Sequence, residues 1–100
     1  MTPKNGGKIE LKLGPTTADS AQYAARLQTA TAIFEATARV GASAGPKHVD
    51  FGNWKTDAEG EPPEWLLADA RAALKAALRS SQGAGRWPRR ITRWRPEPVD

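Results

Sequence analysis

The stretch TTADSAQYAARLQTATAIFEATARVG, residues 16–41, decides the fold. Tyr23, Leu27, Ala30, Phe34 and Ala38 recur at three- and four-residue steps, and Ile33 and Val40 widen the stripe. That spacing predicts an amphipathic helix. Thr16 or Thr17 can cap its start, and Asp19 suits the positive end of a helix dipole. Glu35 and Arg39 form an i, i+4 ion pair on such a helix, and Gly41 is a fitting C-cap. The stretch therefore reads as one long helix ending near Gly41.

Working outward, Lys8-Ile9-Glu10-Leu11-Lys12-Leu13 alternates strictly, with the aliphatic residues on one side and the charges on the other. This predicts a half-buried strand, closed by Gly14-Pro15. Residues 1–7 are polar and Gly-rich and read as a disordered tail. Residues 41–63 lack a helical period, although Lys47 to Phe51 allows a short strand, with Phe51 and Trp54 as buried anchors. Pro62 and Pro63 suit the first turn of a second helix. Trp65 to Ser81 has high helical propensity. Leu67, Ala70, Leu74 and Leu78 form its core stripe, extended by Leu66, Ala73 and Ala77. Arg71, Lys75 and Arg79 make a basic stripe on its exposed side. Gly83-Ala84-Gly85 ends it.

The C-terminal part is the most unusual in composition. Residues 86–95 contain Arg86, Arg89, Arg90, Arg93 and Arg95 together with Trp87 and Trp94. Periodicity alone favours a helix that groups Trp87, Ile91 and Trp94. A lone strand at 8–13, however, leaves its backbone groups without partners. Residues 90–95, bracketed by Pro88 and Pro96, supply the best partner strand. The expected fold class is α+β: two helices packed on a small sheet made by strands at 8–13 and 90–95, with a short strand near 47–51. The chain reads as one small domain, 8–96, followed by a short tail at 97–100.

Composition narrows the function classes. Of the 39% of hydrophobic residues, eighteen are alanine, so the expected core is thin and built on Trp anchors and Ala faces. A core of that kind leaves monomer and homodimer both open, the latter through an Ala face. The chain has no cysteine, which excludes disulfides and sulfur-ligated metal sites and suits a reducing cytoplasm. No apolar run reaches membrane-spanning length, and the N-terminus lacks a signal-peptide core. The net charge of +4 hides an uneven distribution. Acids cluster at Asp50, Asp57, Glu59, Glu61, Glu64 and Asp69, and bases dominate from Arg71 to Arg95.

Arginine offers a planar fork of donors for phosphate or carboxylate, and tryptophan a flat surface for stacking. Arg71, Lys75, Arg79, Arg86, Trp87, Arg89, Arg90, Arg93, Trp94 and Arg95 are therefore the candidate binding residues. Nucleic acid or a ribonucleoprotein is the first partner class they suggest. An acidic, aromatic protein surface is the second. The acidic connection around Asp57, Glu59 and Glu61 is a candidate internal screen for these cations. His48 and Asp50 fall on one side of a strand but complete neither a metal site nor a triad. No catalytic, nucleotide-binding or cofactor motif occurs. The expectation is a non-catalytic interaction module with no cofactor and no membrane partner.

Overall fold

The computed structural model describes residues 6–17, 19–30, 32–41, 48–56 and 60–96. Along these the order is β1 (Gly6–Thr16), β2 (Ser20–Thr29), β3 (Ile33–Gly41), β4 (His48–Phe51), β5 (Lys55–Thr56), α1 (Glu64–Ala84) and β6 (Arg90–Pro96). The sheet runs β4-β3-β2-β1-β6, with β5 also paired to β3, and every pairing is antiparallel. α1 carries the chain from the β5 side across one face of the sheet, so that β6 arrives beside β1.

The expected two-helix arrangement is corrected: residues 16–41 form no helix but a hairpin, β2 and β3, paired from Ser20↔Gly41 to Gln28↔Ile33. Residues four apart lie on the same side of both a helix and a strand. Tyr23 and Leu27, or Phe34 and Ala38, therefore satisfy either period. The residues between them separate the two readings. Ala21, Tyr23, Ala25 and Leu27 are buried, whereas Ala24, Arg26 and Gln28 are exposed. Phe34, Ala38 and Val40 are buried, whereas Glu35, Thr37 and Arg39 are exposed. Ala30 sits exposed beyond the end of β2.

Hydroxyl chemistry explains the false helix start. Thr17 Oγ1 accepts from the N–H groups of Asp19 (3.3 Å) and Ser20 (3.1 Å). An N-cap makes the same contacts, but here they close the β1–β2 turn. Thr29 Oγ1 repeats the device for the β2–β3 turn, accepting from Ala32 N–H at 3.1 Å. Glu35 and Arg39 form no i, i+4 pair. Glu35 stands across from Arg26 and Lys55, and Arg39 across from Asp50.

Other boundaries shift modestly. β1 starts at Gly6, inside the expected tail, and continues past Gly14-Pro15 to Thr16 through a register shift. Pro15 lies beyond the reach of β6, so its missing N–H breaks no ladder there. β6 pairs with β1 from Gly6↔Pro96 to Lys12↔Arg90. α1 begins after Pro63 and ends at Gly85, which takes a left-handed conformation (φ 75°) and donates its N–H to Ser81. Its buried residues are Leu66, Leu67, Ala70, Ala73, Leu74, Ala77 and Leu78. Residues 1–5 and 97–100, expected as tails, lie outside the described residues.

The core lies between α1 and one face of the sheet. Ile9 and Leu11, Tyr23 and Leu27, Phe34 and Val40 meet Leu66, Leu74 and Leu78. Val49, Phe51, Trp54, Trp65, Trp87 and Ile91 pack around its rim. Gly7 fits because it has no side chain: a Cβ there would come within 2.7 Å of Leu66 Cδ1 and 3.2 Å of the Trp65 ring. Leu66 is fully buried and has little room to yield. Gly7→Ala is therefore expected to cost about 1–3 kcal/mol by overpacking. Gly83→Ala, in α1 with open space around it, should instead add about 1 kcal/mol through helix propensity. Urea denaturation of the two variants checks both signs.

Candidate polyanion-binding surface

Strand alternation sends half of each strand to the side not covered by α1. Across the middle of this open face runs a row of opposite charges: Lys55, Glu35, Arg26 and Glu10 are successive cross-strand neighbours, ending at Thr92. Such pairs help to fix the register. Glu10 also meets Lys8 on its own strand at 2.8 Å. Its carboxyl is held below the usual range first by the hydrogen bond from Lys8; burial opposes this as the next-largest effect, and the charges of Lys8, Arg26 and Arg90 add to the lowering. Glu10 is thus an ionised carboxylate inside a ring of cations.

The next row is different. Thr37, Ala24, Lys12 and Arg90 are successive neighbours. Lys12 and Arg90 stand directly opposite one another, an arrangement that destabilises a strand pair unless an anion lies between the charges. Neither forms an ion pair among the described residues. Ala24 beside them has almost no side chain. The result is a shallow depression of about 400 Å³ over Ala24, bordered by the cations Lys8, Lys12, Arg26 and Arg90, the acids Glu10 and Glu35, and Thr92.

Trp94 completes this face. It is cross-strand from Lys8 and 46% exposed, the one large hydrophobic side chain so exposed among the described residues. Its indole rests over Gly6, where a Cβ would approach Cζ2 to 2.6 Å. Gly6 and Gly7 thus let the chain pass between Trp94 on one side and Trp65 with Leu66 on the other.

The structure divides the candidate residues read from sequence. Arg90 and Trp94 reach the open face. Arg93 and Arg95 alternate to the helix side, where Arg95 meets Asp69 at 3.3 Å. Arg86 and Arg89 are exposed and precede the strand. Trp87 is half-buried and packs against the core. Arg71, Lys75 and Arg79 do not join this surface. Arg71 lies over the Phe51 ring at 5.9 Å and pairs with Glu64 at 3.3 Å, on the flank of α1 away from β6. Of the expected acidic screen, Asp57 and Glu59 lie outside the described residues, and Glu61 is exposed. Among the described residues, the carboxylate that pairs with a cation of β6 is Asp69.

Lys8, Lys12 and Arg26 were not singled out from sequence. The charged side of the Lys8–Leu13 alternation was the available signal, and only the register shows that it adjoins Arg90. The described residues contain no cluster of His, Asp and Glu able to hold a metal ion. No helix among them is long and apolar enough to cross a membrane.

The approach to β6 is pinned from the core. Buried Tyr23 donates its hydroxyl to the Pro88 carbonyl at 2.7 Å. Burial pushes the phenol from its ordinary value of 10 up to about 12. Only the neutral phenol fits this site. Its stabilising contribution is complete below pH 10 and is lost as the pH rises toward 12. Tyr23→Phe is expected to cost about 1 kcal/mol at neutral pH and to flatten the loss of stability between pH 10 and 12. Denaturant titrations across that range measure both effects.

Comparison of the chain with protein-family models, with curated proteins and with solved structures finds no significant match.

Proposed function

We propose that this protein is a non-catalytic module that binds single-stranded nucleic acid across the open face of its sheet. The observation that carries this reading is the like-charge pair Lys12 and Arg90 beside the bare Ala24, on the same face as an exposed indole. Phosphates relieve the repulsion of the pair and gain Arg26 as a further contact. Trp94 lies four residues along β6 from Arg90, about 14 Å at strand spacing. That separation lets a base stack on the indole while a phosphate further along the backbone meets Lys12 and Arg90, beyond the carboxylate of Glu10. Stacking suits any base, so the expected binding is weakly sequence-dependent. A duplex presents its bases only as edges and gains nothing from Trp94.

Binding of a labelled single-stranded oligonucleotide, followed by anisotropy over a range of salt, tests the reading. Affinity should fall log-linearly with salt, with a slope of about −0.7 for each phosphate contacted. Arg90→Ala and Lys12→Ala should each weaken binding and make that slope shallower. Trp94→Ala should weaken binding by about 1–3 kcal/mol with the slope preserved. Affinity that ignores all three substitutions, or equal affinity for duplex and single strand, overturns the reading.

A further inference from the structure

We propose that the outer edge of β6 takes up an acidic, extended peptide as an additional strand of the sheet. This goes beyond the reading of the open face and rests on the main chain of β6 and the cations of its helix side, sharing only Arg90 with that reading.

The phase of the ladder shows which groups are offered. Leu13 N–H donates to the Arg89 carbonyl at 2.8 Å. In an antiparallel ladder hydrogen-bonded and non-bonded pairs alternate. Arg89, Ile91, Arg93 and Arg95 therefore turn their main-chain groups toward β1. Arg90, Thr92 and Trp94 turn theirs outward. β6 is the last strand of the sheet on this side, and no described strand pairs with these groups. Pro96, with no N–H to offer, closes the edge.

An exposed edge of this length is a template for strand addition, and its flanking charges select what is added. Arg86, Arg89, Arg90 and Arg93 have no ion-pair partner among the described residues, and only Arg95 is engaged, by Asp69. An incoming strand with acids opposite Arg90 on one side and Arg93 on the other makes favourable cross-strand pairs. There is also room for its side chains. Between α1 and β6 lies a groove of about 290 Å³, floored by Ala72 and Ala73 and flanked by Asp69, Arg93, Trp94 and Arg95. A second copy of β6 fits poorly. With Thr92 facing Thr92, Arg89 meets Arg95 on both sides of the joint, and like charges in direct register destabilise the pair.

The probe is a short capped peptide in which glutamate and valine alternate. Binding to the whole chain is followed by Trp fluorescence, and amide exchange locates the contact. The expected result is saturable binding with new protection at the amides of Arg90, Thr92 and Trp94. The same peptide N-methylated at alternate residues keeps its charge but loses its donors, and should bind at least about tenfold more weakly. Thr92→Pro removes an outward N–H while sparing the ladder to β1, and should abolish peptide binding. Thr92 also borders the open-face depression, so oligonucleotide binding by this variant does not separate the two readings. Should Thr92→Pro fail to fold by circular dichroism, the N-methylated peptide on the unaltered chain decides. Equal affinity for both peptides means charge attraction without strand addition and overturns the proposal. No binding overturns it, as does light scattering that shows the edge closed by a second copy. Failure of oligonucleotide binding alone bears on the open face and leaves this edge untouched.

Discussion

A single amphipathic helix covers one face of the sheet, and this constraint organises the molecule. The face beneath α1 must be apolar along every strand, and the opposite face must tolerate water. Ile9 and Leu11, Tyr23 and Leu27, Phe34 and Val40 answer the first demand. Lys8 and Lys12, Arg26 and Gln28, Glu35 and Arg39 answer the second. With one face sealed, a slip of one residue in any pairing would bury charge and expose the core. The register that places Lys12 beside Arg90 is thus fixed by hydrophobic burial on the far side.

Small residues do much of the positioning. Ala70, Ala73 and Ala77 bring α1 close to the sheet, and Gly7 lets Leu66 and Trp65 settle over the start of β1. On the other face, Ala24 opens the depression and Gly6 receives the Trp94 ring. Among the described residues, Ala21, Ala25, Ala38, Ala70, Ala73 and Ala77 serve the close-packed core, and Ala24 leaves a low spot in the charged surface.

Legibility in the sequence followed physical ambiguity. The strand at Lys8–Leu13 and the helix after Pro63 were readable because each pattern has one interpretation: strict alternation in the first, a seven-residue apolar stripe with a glycine stop in the second. The partnership of β6 with β1 followed from the need to satisfy a lone strand's backbone. The hairpin at residues 20–41 was hidden because its large apolar residues fall four apart, a spacing both periods share, and because alanine, a strong helix former, fills the gaps. Thr17 and Thr29 make cap-like contacts that serve turns equally well. In the candidate site, the Arg/Trp segment was evident from composition, but its division between two faces was not. Alternation along β6 separates Arg90 and Trp94 from Arg93 and Arg95, and the fold supplies Lys12 and Arg26 from distant strands. The stripe Arg71, Lys75 and Arg79 was read correctly as helical but belongs to another flank of the molecule.

The antiparallel meander from β1 to β4 is built from neighbours in the chain, whereas Ile9 must find Arg93 across nearly the whole described length. Joining such distant segments carries the largest loop-closure entropy in the fold, and contacts of this kind slow folding. The hairpins and α1 rest on local contacts and need not wait for β6 to dock. Until it does, the side of β1 that β6 will cover is itself a vacant template, and a nascent chain carrying the meander alone has a sticky margin. The arginines of the final strand thus arrive together with the segment that closes that margin, and the basic surface comes into being only when the sheet is complete.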